Sequence, residues 1–169
     1  MNVITLAAIL GALGMYGLGR YVRHAKTAEA VGSVQAIAQA AAVFYNESDA
    51  NQPVGAPEAA ARAMRHFPPA SRTSVPPDAR DIRGQRYQSE MADWDVSPWR
   101  ELHFSMPQPQ CYAYSFDSSG TGAQATAAAV AHGDLDGDGM TSTYELSITP
   151  DDKLNAKVSA QLKRTNPED

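Results

Sequence analysis

The densest concentration of chemistry in this 169-residue sequence is the run Asp134-Leu135-Asp136-Gly137-Asp138-Gly139-Met140-Thr141-Ser142-Thr143-Tyr144-Glu145. It meets the template D-x-D-x-D-G-x5-E at every position. Asp134, Asp136 and Asp138 place carboxylates at loop positions 1, 3 and 5, and Gly139 permits the sharp turn that follows. Met140 offers its main-chain carbonyl, Ser142 reaches an ion directly or through water, and Glu145 closes the set at position 12. Such a flexible array of oxygen donors suits Ca²⁺, which is the expected cofactor. Six acids lie between Asp134 and Asp152 before the first base, Lys153, and without a cation they repel one another. The competing reading is an acidic turn held by side-chain-to-backbone hydrogen bonds. An EF-hand is not expected: Thr141 stands where an EF loop carries an aliphatic residue, and no second loop occurs. Pro150 follows Glu145 too closely for an exiting helix. The spacing predicts a calcium loop between two strands.

Other chemistry is scarce. His24, His66, His103 and His132 share no metal-ligand spacing, and no nucleophile elbow, zinc-protease helix motif or phosphate loop occurs. Cys111 is the single cysteine, so no intramolecular disulfide and no cysteine-based zinc site can form. A Cys111–His103 nucleophile pair is conceivable, but a strand cysteine is more often inert packing. Trp94 and Trp99 read as core or loop anchors rather than a ligand platform. The weakest reading is an enzyme site assembled from acids and histidines around the loop; no enzyme is expected. With 14 Lys and Arg against 19 Asp and Glu, the net charge of −5 argues against a nucleic-acid partner.

The elements that must position the loop are unevenly patterned. From Val3 to Gly19 there is no charged residue, and 17 residues make about 25 Å of helix, the lower limit for crossing hydrocarbon. Arg20, Arg23, His24 and Lys26 follow at once, as at a membrane interface. A cleaved signal peptide fits poorly, because no basic region precedes the run and no A-x-A pattern closes it. Gly11, Gly14 and Gly17, with Ala7 one turn earlier, put small residues toward one side, as where membrane helices pack closely. Ala7, Gly11, Gly14 and Gly17 are therefore the expected assembly interface. By the positive-inside rule the basic cluster would face the cytoplasm. From Tyr21 to Asn46 no proline intervenes, and apolar residues recur at Val22, Ala25, Ala28, Val31, Val34, Ile37 or Ala38, Ala41, and Phe44 or Tyr45. The two runs join into one predicted helix of more than 40 residues.

Beyond it, six prolines (Pro53, Pro57, Pro68, Pro69, Pro76 and Pro77) mark a connection over 51–86 with one short helix, Pro57–His66. Six arginines from Arg62 to Arg86 read there as a solvated surface or a subunit contact. Strand signals then appear at Leu102–Met106, Cys111–Phe116, Tyr144–Ile148 and Leu154–Val158. Ala123–Ala131 suits a helix by alanine content or a small-residue strand by its place in the series. The expected organisation is an α+β chain: a transmembrane and stalk helix over 1–50, then a globular domain over 51–169 with a loop region 51–86 and an antiparallel sheet over 87–158.

These features together resemble the type IV pilin and pseudopilin family. Ala8-Ile9-Leu10-Gly11-Ala12-Leu13 is similar to the centre of the pilin helix, and Lys26-Thr27-Ala28-Glu29-Ala30 to its membrane exit. Trp94, Trp99, Leu102-His103-Phe104, Tyr112-Ala113-Tyr114 and the Gly133–Gly139 loop resemble the globular part of pilin-like proteins. The resemblance implies a filament subunit that polymerises through its N-terminal helix with copies of itself or related pilins, using a separate assembly machinery. It also implies residence in a bacterial inner membrane before assembly and in an extracellular filament afterwards. The sequence departs from the family in showing no basic leader, no glutamate near the start (Thr5 is the nearest polar residue), no proline near residue 22 and no disulfide loop. The rival expectation is a membrane-tethered periplasmic calcium-binding or sensor protein that does not polymerise.

Overall fold

In a computed structural model of the chain, backbone is described for residues 2–48 and 57–167, and side chains for 25–48 and 57–167 apart from Glu58, Ala59 and Ala79. Helix α1 runs unbroken over Asn2–Glu47. Its alanine-rich second half is a good helix former, and spacing decides which face it buries. Ala30, Val34, Ile37, Ala38, Ala41 and Tyr45 are all fully buried, at steps of one, three and four residues, whereas Val43 on the other side is 54% exposed.

That face lies across an antiparallel sheet of β1 (Ala113–Ser119), β2 (Thr126–Gly133), β3 (Ser142–Pro150), β4 (Ala156–Val158) and β5 (Lys163–Thr165). The strands follow one another as a meander β1-β2-β3, and β4 and β5 both pair with β3 at different heights. The alanine-rich segment is thus a strand from Thr126 on, after a single 3-10 turn over Gly122–Gln124, although alanine has little intrinsic strand preference. The register explains the choice. Tyr114 pairs with Ala131 and Ala131 with Tyr144, while Phe116 pairs with Ala129 and Ala129 with Leu146. Each row on the inner face is large, small, large, so β2 forms a shallow trough that admits α1 between bulky flanks. Tertiary packing here outweighs propensity.

Two polar ties fix the helix along the sheet. Glu29 Oε1 accepts hydrogen bonds from the Cys111 backbone N–H at 2.8 Å and from the Tyr114 hydroxyl at 3.2 Å. Near the other end, Asn46 Oδ1 accepts from the Ala156 N–H at 2.9 Å. The Tyr45 hydroxyl adds a bond to the Gly122 carbonyl at 2.8 Å.

Between the helix and the sheet, the short α2 (Glu58–Ala63) opens after Pro57 as expected but ends before His66, and α3 (Met91–Trp94) is capped at its N-terminus by a Glu90–Asp93 capping box. The expected strand at Leu102–Met106 is instead a series of turns. Leu102 N–H donates to the Pro98 carbonyl and Phe104 N–H to the Trp99 carbonyl, and His103 has φ of 49°. The apolar residues there serve a local aromatic cluster rather than a sheet face: Trp94, Trp99 and Phe104 meet edge-on or tilted at 5.2–5.9 Å, and Phe104 leans on Tyr114. Trp94 and Trp99 are buried anchors, with Trp94 Nε1 donating to Ser89 Oγ.

The arginine-rich connection is not uniformly solvated. Arg65 is buried, with its guanidinium donating to the Leu154 carbonyl at 2.7 Å. It thereby links the connection to the turn before β4, satisfying a charge that would otherwise be costly to bury.

Candidate metal centre

Strand β2 ends at Gly133 and β3 begins at Ser142, directly opposite it. The acidic segment is therefore the closing loop of a β-hairpin, between two strands. Its base is rigid for two reasons. Ser142 Oγ, fully buried, donates to the Gly133 carbonyl at 3.0 Å. A side chain at Gly133 would put Cβ 2.5 Å from the Tyr112 ring, so the glycine lets Tyr112 pack closely there, and Tyr112 meets Tyr144 edge-on.

Above that base, Asp134 organises the loop. It is 5% exposed, its Oδ1 accepts from Gly137 N–H at 2.7 Å and its Oδ2 from Gly139 N–H at 3.0 Å. Both glycines have positive φ, 79° and 92°, a conformation that disfavours other residues. Asp136 Oδ1 accepts from Asp138 N–H and Asp138 Oδ1 from Met140 N–H, so each acid also braces the backbone. One carboxylate oxygen from each of Asp134, Asp136 and Asp138 lies within 4.8 Å of the others. Among the described residues no other group of three His, Cys, Asp or Glu side chains is so placed.

The expected six-residue ligand set is only partly gathered. Met140 is 60% exposed. Ser142 uses its hydroxyl hydrogen within the hairpin base. Glu145 stands three residues along β3, outside the aspartate cluster, and its Oε2 pairs with Lys163 Nζ of β5 at 2.8 Å. The twelve-residue template presumes a loop that continues to position 12, whereas here the strand resumes at position 9.

One participant escaped local pattern reading. Arg83, 54 residues before Gly137 in sequence, donates from Nε to the Gly137 carbonyl at 3.0 Å and lies 3.5 Å from Asp134 Oδ2. The adjacent Gly84 N–H donates to the Asp134 carbonyl at 2.7 Å. Arg83 thus supplies one positive charge to a loop of three aspartates, and two negative charges remain uncompensated by this contact. Three oxygen donors with residual negative charge fit a hard divalent cation, and the partial ligand set fits a site completed by main-chain carbonyls and water.

The remaining candidates fall elsewhere. Cys111 is fully buried, and burial together with nearby Glu29 pushes its thiol pKa up, away from the reactive thiolate. The helix backbone includes Ala7, Gly11, Gly14 and Gly17, but their side chains lie outside the described residues. Among the described residues no helix is long and apolar enough to cross a membrane; the Val3–Gly19 run belongs to the part whose side chains are not described. Comparison with known proteins yields no match: no family model fits the sequence, and no curated protein or solved structure is significantly similar.

Proposed function

We propose that this chain is a structural subunit of a type IV pilus-like or pseudopilus-like filament, polymerising through its N-terminal helix and stabilised by Ca²⁺ at the hairpin loop. The observation that carries the reading is the continuity of α1. One helix joins the uncharged Val3–Gly19 run to a face seated on a small antiparallel sheet. A helix of this kind can pack against its neighbours in a bundle while the sheet-bearing part stays outside, and Ala7, Gly11, Gly14 and Gly17 would permit close approach. Its partners would be further copies or related subunits, with the inner membrane holding the chain until the assembly machinery extracts it.

Ca²⁺ would be held by Asp134, Asp136 and Asp138, with Met140 and Ser142 as the adjacent oxygen donors and Glu145 available on release from Lys163. Bound, the ion would neutralise the loop's charge and stiffen the β2–β3 hairpin. Shearing cells and probing the released surface fraction for this chain tests the function. The chain should appear there in polymers, and Gly11→Leu or Gly14→Leu should remove it without unfolding the sheet. A chain confined to the membrane fraction would favour the membrane-tethered calcium-binding alternative, and normal incorporation of both variants would exclude helix packing as the assembly mechanism.

A further inference from the structure

A second feature lies away from the loop, where the segment 71–77 runs beside the turn 92–100. The two enclose a cleft of about 490 Å³, within the range of small-molecule sites. Its lining includes Val96, 49% exposed, and Pro77 above a floor of buried Val75 and Trp99, so the inner wall is apolar. Arg72 and Arg100 also line it. Both are exposed, and neither guanidinium has a hydrogen bond or ion pair among the described residues. The one acid in the lining, Asp93, is engaged by its own helix, with Oδ2 accepting from Glu90 N–H at 2.8 Å. Ser97 Oγ, also in the lining, is a buried hydroxyl with no hydrogen-bond partner among the described residues.

Two unengaged guanidiniums and a free hydroxyl around an apolar wall, in a chain of net charge −5, make a local reversal of the protein's charge. Guanidinium pairs recognise carboxylates by charge-assisted hydrogen bonds, and the apolar wall rewards a flat hydrocarbon body. A metal ion has too few donors here, and an inorganic anion would leave the wall uncovered. We propose that this cleft binds a small aromatic or branched-aliphatic carboxylic acid, with its carboxylate on Arg72 and Arg100 and its body against Val96 and Pro77, over the buried Trp99. The site shares no lining residue with the hairpin loop.

Phenylacetate serves as the probe, added to the full chain and followed by the NMR signal of the Trp99 indole N–H. Saturable shifts are expected at Trp99 that exceed those at Trp94, which does not line this cleft. The neutral isostere phenylacetamide, and acetate without the ring, should each bind at least about tenfold more weakly. Arg72→Gln and Arg100→Gln, both at exposed positions, should each weaken phenylacetate about tenfold, the scale of a lost charge-assisted bond. Absence of saturable binding, equal binding of the amide, or unchanged affinity in both arginine variants would overturn the proposal.

Discussion

The interface between helix and sheet and the hairpin loop are held together by opposite means. At the interface, shape decides: an alanine trough between tyrosines, phenylalanine and leucine receives an apolar helix face, and a few polar ties set its position. In the loop, charge decides: three aspartates brace the backbone through its N–H groups, and a distant arginine offsets part of their repulsion. The first region should respond to volume and hardly to ions. The second should respond to ions and hardly to volume. Each variant below is chosen to separate those behaviours.

The largest effect is expected from filling space in the core. Ala129→Leu inserts a bulky group into the trough beneath α1, and Gly133→Ala places Cβ against the buried Tyr112 ring. Each should cost about 1–3 kcal/mol or more, read as a fall of several degrees in thermal unfolding midpoint whether Ca²⁺ or a chelator is present. A fall seen only with the chelator would merge the two regions into one.

Removing the carboxylate of Glu29 comes next. Glu29→Ala strands the Cys111 N–H and the Tyr114 hydroxyl inside the interface, at a cost of about 1–3 kcal/mol. Chemical unfolding should show a lower midpoint with an unchanged slope. Stability equal to the parent would mean that apolar shape alone positions the helix.

Arg83→Gln sharpens the loop side of the contrast. Without Arg83 the aspartates lose a competing cation, so Ca²⁺ should bind more tightly while the metal-free form loses about 1 kcal/mol, the scale of one hydrogen bond and an ion pair whose arginine is half exposed. Calorimetric titration of parent and variant measures the difference. Weaker Ca²⁺ binding in the variant would show that Arg83 shapes the site rather than competes for it.

The smallest effect concerns His132, which sits on β2 with Nδ1 3.0 Å from Thr143 Oγ1. Burial lowers its pKa, against the opposing pull of Asp117 and Glu145. A histidine whose folded pKa is lowered favours the neutral form, so its contribution is present above its unfolded pKa of about 6.5 and declines as pH falls through that value. Melting temperatures between pH 8 and 5 should fall less in His132→Gln than in the parent. Identical slopes would remove His132 as a cause.

The same division explains what the sequence made legible. The helix was readable because its buried face repeats at three and four residues, a local signal. The hairpin position of the acidic loop was readable too, since Pro150 excluded the helical alternative. Ala123–Ala131 stayed ambiguous because alanine states no strand preference, and only cross-strand pairing with Tyr114, Phe116, Tyr144 and Leu146 decides it. Leu102–Met106 misled because a short apolar run has the same texture in a strand and in an aromatic-packed turn. β5 was not foreseen, since Lys163–Thr165 is polar and exposed and carries no apolar alternation. Arg65, Arg83 and the Glu29 tie depend on contacts between segments far apart in sequence. The departure of Glu145 to Lys163 likewise follows from where the strand resumes.

The claim that joins the two regions is that Ca²⁺ at the loop stabilises a core it does not touch. Among the described residues every buried core residue lies at or beyond Ala30, and a chain starting at Lys26 is expected to remain soluble and folded. Its thermal unfolding in EGTA, in Ca²⁺ and in Mg²⁺ is the most direct test. At a hundredfold excess over the dissociation constant, Ca²⁺ should add about 2.7 kcal/mol and raise the midpoint by several degrees. Mg²⁺, which keeps its waters and demands a tighter octahedral shell, should do less. Asp136→Ala should abolish the rise, and Glu145→Ala should reduce it if the glutamate leaves Lys163 to join the ion. A midpoint that is the same in EGTA and Ca²⁺, or a full rise retained in Asp136→Ala, would contradict the account.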